Sequence, residues 1–301
     1  MLPDVVDLLA CPHCRDPLTL TGRTLRCPLG HSFDLAKQGY VSLLAGDPGT
    51  GDTAAMVAAR AEFLAGGHYA PVVEELVRAV GAVTGPVLDL GAGTGHYLAQ
   101  VLDRAATGPG LALDLSKFAL RRAARAHPRA GAVVCDAWRP LPVRDGVAEV
   151  VLNVFAPRNA PEIARVLAPG GRLVVVTPEP GHLAELVEAL GLLRVDESKA
   201  QRIEGQLGGL FTRAGDAVRE FTLALSHAEV GTLVGMGPNA WHTDPAGLAA
   251  RIGALPEPVR VSASVRVAAY RLTGSGQAAV QSSSDPSADH PGPGHPAPNR
   301  P

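Results

Sequence analysis

The run Val87-Leu88-Asp89-Leu90-Gly91-Ala92-Gly93-Thr94-Gly95 limits what this chain can fold into more than any other segment. Its first four residues read as a buried strand, and a loop with glycine at every second place follows. Glycine carries no side chain and accepts dihedrals that other residues avoid, so such a loop lets a ligand lie close against the backbone. The spacing is G-x-G-x-G, unlike the G-x-G-x-x-G of dinucleotide sites. Asp89 stands inside the strand. Its carboxylate can accept hydrogen bonds from an ammonium or from loop amides, and it would repel a pyrophosphate. The pattern favours a nucleoside cofactor with a positive charge, which S-adenosylmethionine carries, bound through Asp89, Gly91, Gly93 and Gly95.

Beyond that loop, short apolar runs alternate with helix-like stretches. The runs are Leu111–Asp114, Ala132–Cys135, Val147–Val154 and Leu173–Val176, and the helical stretches are 96–105, 117–126 and 160–168, with a further helix at 182–190. Alternation of this kind predicts βαβ units around a parallel sheet, an α/β fold. Asp114 closes the second run, 21 residues after Gly93, where an acid can bind both ribose hydroxyls. Asp136 follows the third run and could face an adenine amine. Acids at three successive strand ends separate this segment from an ordinary strand-to-helix turn. Upstream, Asp52 or Thr53 caps a helix over Ala54–Leu64, and a second helix runs from Pro71 to Val80. Downstream, Glu220–Leu225 and Val259–Leu272 read as two antiparallel closing strands, with helices at 227–235 and 245–253. A tail rich in Ser, Pro and Gly, residues 274–301, is predicted to be disordered.

Three of the four cysteines lie in one short stretch. Cys11-Pro12-His13-Cys14 and Cys27-Pro28-Leu29-Gly30-His31 give the spacing C-x2-C-x12-C-x3-H. Three thiolates and an imidazole form a closed tetrahedral set suited to a structural Zn2+. The metal would supply folding energy that a block of about 40 residues lacks by itself. His13 sits badly for ligation beside Cys14 and is expected to be exposed. A redox Cys-x-x-Cys pair is the competing reading, and Cys27 and His31 argue against it. Cys135 stands alone on an apolar run and reads as core.

The formal net charge is −2 over 301 residues, which excludes a charge-dominated nucleic-acid binder. A local basic face survives at Lys117, Arg121, Arg122, Arg125 and Arg129, with a solvated helix face as the plainer reading. No run of about 18 apolar residues suggests a membrane span. Met1–Ala10 lacks a basic start and a long apolar stretch, so the expected location is the cytoplasm.

Further segments accompany the cysteine block and the glycine loop. They include Lys37-Gln38-Gly39-Tyr40-Val41-Ser42-Leu43-Leu44, Gly51-Asp52-Thr53-Ala54-Ala55-Met56-Val57-Ala58-Ala59-Arg60, Gly67-His68-Tyr69, Asn153-Val154-Phe155-Ala156-Pro157-Arg158-Asn159 and Gly181-His182-Leu183. The combination resembles the 23S ribosomal RNA guanine-N1 methyltransferases, most of all their actinobacterial macrolide-resistance branch of the tylosin and mycinamicin type. The likeness covers residues 5 to 272. It implies a class I Rossmann-like methyltransferase sheet (85–273) behind a small N-terminal zinc-binding, RNA-recognising domain (1–45), with a linker and helices between (46–84). It also implies Cys11, Cys14, Cys27 and His31 as zinc ligands, and Tyr69, Tyr97, Leu98 and His182 as cofactor contacts. The implied partner is 23S rRNA, methylated at N1 of a guanine in a hairpin loop near the macrolide site. The end of the fourth strand should lie beside the transferable methyl. There Asn153 could bond the base edge, Phe155 could stack on the base, and Arg158 could stabilise charge on O6. A small-molecule methyltransferase of a biosynthetic pathway is the alternative, and it leaves the zinc block without a purpose. A retained fold that only binds RNA is a third reading, opposed by the intact loop. A homodimer would suit a large RNA substrate, although no interface signature is visible.

Overall fold

The computed structural model describes residues 1–46, 51–192, 205–237 and 244–274. The chain opens with a 3-10 helix, Leu2–Leu8, whose Leu2, Val5, Val6 and Leu8 are buried. Three short strands follow as an antiparallel sheet: β1 (Thr19–Thr21), β2 (Thr24–Arg26) and β3 (Ser32–Asp34). β4 (Val41–Ser42) then leaves this small sheet and joins the large one.

Helix α1 (Ala54–Ala65) starts where Thr53 accepts a hydrogen bond from the Met56 N–H. Helix α2 (Ala70–Val80) has Pro71 in its first turn, where a missing N–H costs nothing. Its Val72, Val73, Leu76 and Val80 fall on one buried face. The remaining elements are β5 (Val87–Leu90), α3 (His96–Leu102), β6 (Gly110–Asp114), α4 (Lys117–Ala123), β7 (Ala130–Val134), β8 (Ala148–Val154), α5 (Ala160–Val166), β9 (Leu167–Pro178), α6 (Ala184–Leu190), β10 (Phe211–Leu225), α7 (His227–Gly235), α8 (Pro245–Gly253) and β11 (Val259–Leu272).

The large sheet has eight strands in the order β10-β11-β9-β8-β5-β6-β7-β4. Strands β4 to β9 pair in parallel, and β11 and β10 close the sheet antiparallel. β5 is where the order reverses, with β6 on one side and β8 on the other. Ligands bind at such a switch point, outside the carboxyl ends of the strands. Strand parity sorts the side chains. Val87 and Val150, Leu152 and Val154 pack with α2 and α3, whereas Leu88, Leu90 and Val151 pack with the 3-10 helix and α5.

The N-terminal block is built into this second face. Gly131 on β7 is bare because a Cβ there would run into Val5. The Ala10 N–H donates to the Pro142 carbonyl at 3.1 Å, and the Arg15 guanidinium donates to the carbonyls of Leu141 (2.6 Å) and Val143 (3.2 Å). On the sheet edge, Val41 and Ser42 pair with Val133 and Val134.

Several boundaries differ from the sequence reading. β10 begins at Phe211, not near Glu220. It is an edge strand, exposed along most of its first half and bulged between Arg213 and Gly215, so it lacks the apolar alternation that marks a strand. β9 begins at Leu167, upstream of its apolar stretch. The helix expected from 182 starts at Ala184, because Leu183 adopts φ +59°. The tail expected to be disordered, beyond residue 274, lies outside the described residues.

Candidate active site and metal cluster

The glycine loop leaves β5 with φ of +78° at Gly91, +53° at Gly93 and +77° at Gly95, all in the region that favours glycine. Two positions are tight as well. A Cβ on Gly91 would run into Ala156, and one on Gly95 would lie 2.9 Å from Ala123 Cα. The loop is tied to β6, since the Gly91 and Ala92 N–H groups both donate to the Leu113 carbonyl at 2.8 and 3.1 Å. Asp114 completes the turn. Its carboxylate accepts from the Gly93 N–H and the Ser116 N–H, each at 2.8 Å. Burial holds its pKa above the ordinary value, against the pull of those two amides.

A cavity of about 560 Å3 lies over the loop. Of the positions singled out in the sequence, Tyr69, Gly91, Gly93, Tyr97, Asp114, Asp136 and Phe155 line it. Asp89, Gly95, Leu98, His182, Asn153 and Arg158 stand outside that lining. Gly95 instead allows α3 to approach α4, and the Leu98 side chain is core. Asp89 is sealed beneath the loop, 1% exposed, with neither carboxylate oxygen in a hydrogen bond of normal geometry. Burial, then the neighbouring Asp114 charge, push its pKa up to about 7 despite the Leu98 amide. Asp136 is partly spoken for: it accepts from the Trp138 N–H at 2.9 Å, and the Arg139 guanidinium lies 3.4 Å away.

Tyr69 and His182 form a pair behind the cavity wall, with Tyr69 Oη 3.3 Å from His182 Nε2. The Ser264 N–H donates to His182 Nδ1 at 3.2 Å. Burial lowers the His182 pKa to about 4, so the ring is neutral. With Nδ1 accepting, the proton belongs on Nε2 and is donated to Tyr69 Oη. The Tyr69 hydroxyl hydrogen is then left to point elsewhere.

Phe155 is the strained member of the site. It sits at φ +52° directly after β8, is 39% exposed, and tilts its ring toward Tyr69 and His182 at centroid distances of 6.4 and 6.3 Å. A left-handed phenylalanine costs of order 1 kcal/mol or more, and such strain collects at functional sites.

Two expected base contacts lie elsewhere. Asn153 is fully buried and shares strand parity with Val151, opposite to the cavity-lining Val154. Its Nδ2 donates to the carbonyls of Pro157 (2.7 Å) and Leu90 (3.3 Å), which latches the end of β8 to the start of the loop. Arg158 is buried outside the cavity, within the field of Tyr270 on β11, and burial lowers its pKa.

Sequence reasoning missed Arg60, Asp52 and Trp138, which all line the cavity. Arg60 is held by an ion pair with Asp52 and by the Met236 carbonyl at 2.8 Å, and its Nη1 lies 3.4 Å from where a Gly93 Cβ would be. Arg60 stands midway along an alanine-rich helix whose spacing sets no polar face apart, so spacing alone did not reveal it. The donor set suits a zwitterionic nucleoside: acids for the positive groups and the ribose, and a guanidinium for a carboxylate.

In the N-terminal block the ligand atoms of Cys11, Cys14, Cys27 and His31 all lie within 4.8 Å of one another. Cys11 Sγ and Cys27 Sγ are 3.5 and 3.3 Å from His31 Nδ1, and Cys14 Sγ is 3.6 Å from Cys27 Sγ. These are the edges of a tetrahedron whose metal–ligand bonds are about 2.0–2.3 Å. The Gly30 N–H returns to the Cys27 carbonyl at 3.0 Å, which forms the second knuckle. His13 is exposed and stacks on Phe33. Cys135 is buried, as expected.

A switch-point sheet, a glycine loop under a nucleoside-sized cavity and a closed Cys3His cluster define a zinc-bearing, S-adenosylmethionine-dependent methyltransferase. Residues 9–46 match the zinc-ribbon family described as "RlmA, N-terminal", and residues 87–171 match the family described as "Methyltransferase domain". Over 293 residues the chain is 55% identical to a 23S rRNA (guanine-N(1)-)-methyltransferase of Micromonospora griseorubida, across 90% of this chain and 99% of the relative. It is 54% identical over 271 residues to the 23S rRNA (guanine(748)-N(1))-methyltransferase of Streptomyces fradiae, across 88% and 97%. Among solved structures, a SAM-dependent methyltransferase from Geobacter sulfurreducens in complex with S-adenosyl-L-homocysteine aligns at a TM-score of 0.43 with 17% identity, over 67% of this chain and 90% of that one. The chain belongs to the 23S rRNA (guanine-N1) methyltransferase family.

Proposed function

We propose that the chain methylates N1 of a guanine in a hairpin loop of 23S rRNA, near the macrolide site, and so confers macrolide resistance. The position in the name of the Streptomyces fradiae relative, 748, is the one we assign to this chain. The observation that carries the proposal is similarity above half identity spanning the metal cluster and the cavity alike. A ribosomal substrate is met in the cytoplasm, the location this reading assigns to the protein. A homodimer remains part of the proposal.

S-adenosylmethionine supplies an electrophilic methyl on a sulfonium. The chain's residues do the orienting. Gly91 and Gly93 give it a bare floor, and Asp114, fixed by two amides, faces the ribose. Arg60 takes the carboxylate. The Tyr69 hydroxyl, freed by the Nε2–H of His182, donates into the cavity. The target base must leave its stack to reach the site, and Phe155 offers it a face. Guanine N1 is a weak nucleophile, so alignment and removal of its proton dominate the chemistry.

The test is to map the modified nucleotide by primer extension on 23S rRNA from cells with and without the gene, alongside macrolide susceptibility. The expected result is a gene-dependent stop at one hairpin guanine and raised resistance. An unmodified rRNA from expressing cells would sink the proposal.

A further inference from the structure

Helix α4 carries a concentration of charge that the site above does not use. Lys117, Arg121, Arg122 and Arg125 are exposed, and none of them forms an ion pair among the described residues. No acid occurs between Lys117 and Arg129. Elsewhere in the same segment the protein does satisfy its arginines: Arg129 donates to the carbonyls of Gly108 (2.9 Å) and Ala105 (3.1 Å). In a chain of net charge −2, four free cations on one short face make a local positive field.

Their arrangement is ordered. Lys117 and Arg121 are one helical turn apart, and Arg125 continues the same stripe into the turn after α4. Lys117 Nζ and Arg121 Cζ both lie over the Phe118 ring, 5.6 and 5.3 Å from its centroid, which steadies the two charged heads side by side. The stripe begins at the cavity. Ser116 caps α4, and Leu115 before it lines the cavity wall.

Trp138 lines the same cavity and is 63% exposed, in a chain with only 4% aromatics. Its turn is braced. The Trp138 N–H is held by Asp136, Asp136 is held by Arg139, and Arg139 donates to the Ala45 carbonyl at the exit from β4. An indole kept in water on a fixed turn is a stacking platform, and every nucleobase has a face to offer it.

We propose that the α4 stripe and Trp138 together form the surface that grips the single-stranded part of an RNA hairpin. Lys117, Arg121 and Arg125 take successive phosphates, and Trp138 stacks on an unpaired base next to the one delivered to the cavity. The inference rests on the RNA substrate proposed above and names the surface that substrate would use. Phosphate contacts give affinity without sequence, and the stacked base fixes register.

The experiment uses the full-length chain and a synthetic hairpin carrying the 23S loop sequence. Binding is read by fluorescence anisotropy between about 50 and 200 mM salt, and methylation of the same hairpin is read in parallel. Arg121→Glu with Arg125→Glu should weaken RNA binding by more than tenfold. It should also flatten the slope of log affinity against log salt by about 1.4, near 0.7 for each of the two lost single-strand phosphate contacts. S-adenosylhomocysteine affinity and the melting temperature should hold. Trp138→Ala should cost roughly five- to a hundredfold in RNA affinity at an unchanged salt slope, and Trp138→Phe should recover most of it. Wild-type RNA affinity and slope in the doubly reversed variant would overturn the stripe. A loss of S-adenosylhomocysteine affinity in Trp138→Ala equal to the loss for RNA would overturn the platform, because the indole would then serve the cofactor. If the variants bind like the wild type while the wild type methylates the hairpin, the surface fails and the function stands. If the wild type neither binds nor methylates it, the function fails and takes this surface with it.

Discussion

Asn153 separates two explanations of the same segment, so its truncation is the most telling perturbation. The residue stands at the end of β8 beside the cavity, where an amide could bond a guanine edge. The structure gives its amide to the protein instead, donating to the carbonyls of Pro157 and Leu90 from a fully buried position. Asn153→Ala removes both bonds and strands both carbonyls. Each stranded carbonyl costs about 1–3 kcal/mol, less for the longer contact, so a loss near 3 kcal/mol is expected. For a chain of this size that is roughly 6–12 °C in melting temperature. The damage should be local, because Pro157 and Leu90 hold Ala156 against Gly91. S-adenosylhomocysteine affinity, read by calorimetry, should therefore fall together with stability. Single-turnover methylation, measured with cofactor saturating and the variant fully folded, should stay within about tenfold of the wild type. The opposite pattern would refute the latch: an unchanged melt and unchanged cofactor binding with methylation abolished would return Asn153 to the base.

Three further expectations follow from the same geometry. Arg60→Met should weaken S-adenosylhomocysteine by about 1.5–3 kcal/mol, roughly ten- to a hundredfold, yet leave 5'-methylthioadenosine, which lacks the amino-acid tail, unaffected; equal losses for both ligands would show that Arg60 only braces Asp52. Asp89→Asn should stabilise the ligand-free chain at pH 8 more than at pH 5. The buried carboxylate has a folded pKa of about 7, above its unfolded value near 3.9, so the wild type loses stability as pH rises between the two, by up to about 4 kcal/mol at 1.36 per unit; a gain independent of pH in denaturant titrations would contradict that. Removal of zinc with a chelator should unfold the N-terminal block and also lower the main melting transition, because β4 and the 3-10 helix pack on β7. Binding of zinc to such clusters is worth about 10–16 kcal/mol, and a chelated chain with an unchanged melt would exclude a structural metal.

The parts of this fold that could be read from sequence are those whose requirements are local. A left-handed turn against a packed neighbour demands glycine at Gly91 and Gly95, and the spacing of four ligands on two knuckles is nearly its own proof of a cluster. The parallel strands announced themselves because burial on both faces leaves few polar residues in a run. β10 stayed hidden for the converse reason. An exposed edge needs no apolar period, so nothing in Thr212–Glu220 marks where pairing begins. The two-residue β4 and its pairing with β7 are likewise beyond any local pattern, and they decide that the metal block is fixed to the sheet.

Side-chain direction was the harder matter, and here part of the answer was available. Along β8, Val150, Leu152 and Val154 share one face and Val151 the other. A residue at position 153 must therefore point away from the cavity that Val154 lines, by the period of two alone. Parity does not decide Asp89, which shares the face of Val87, Leu152 and Val154 yet is 1% exposed and off the cavity lining. Proximity along the chain had suggested contact with the ligand in both cases. Arg60 is the complementary case, a charge on a helix to which spacing assigned no role, because the surface folded over it comes from distant segments. That surface comprises Met236, from α7's end, and Gly93, from the loop, both remote in sequence. The cavity is thus specified twice: by the loop, which sequence shows, and by the elements folded over it, which only the packed chain brings together.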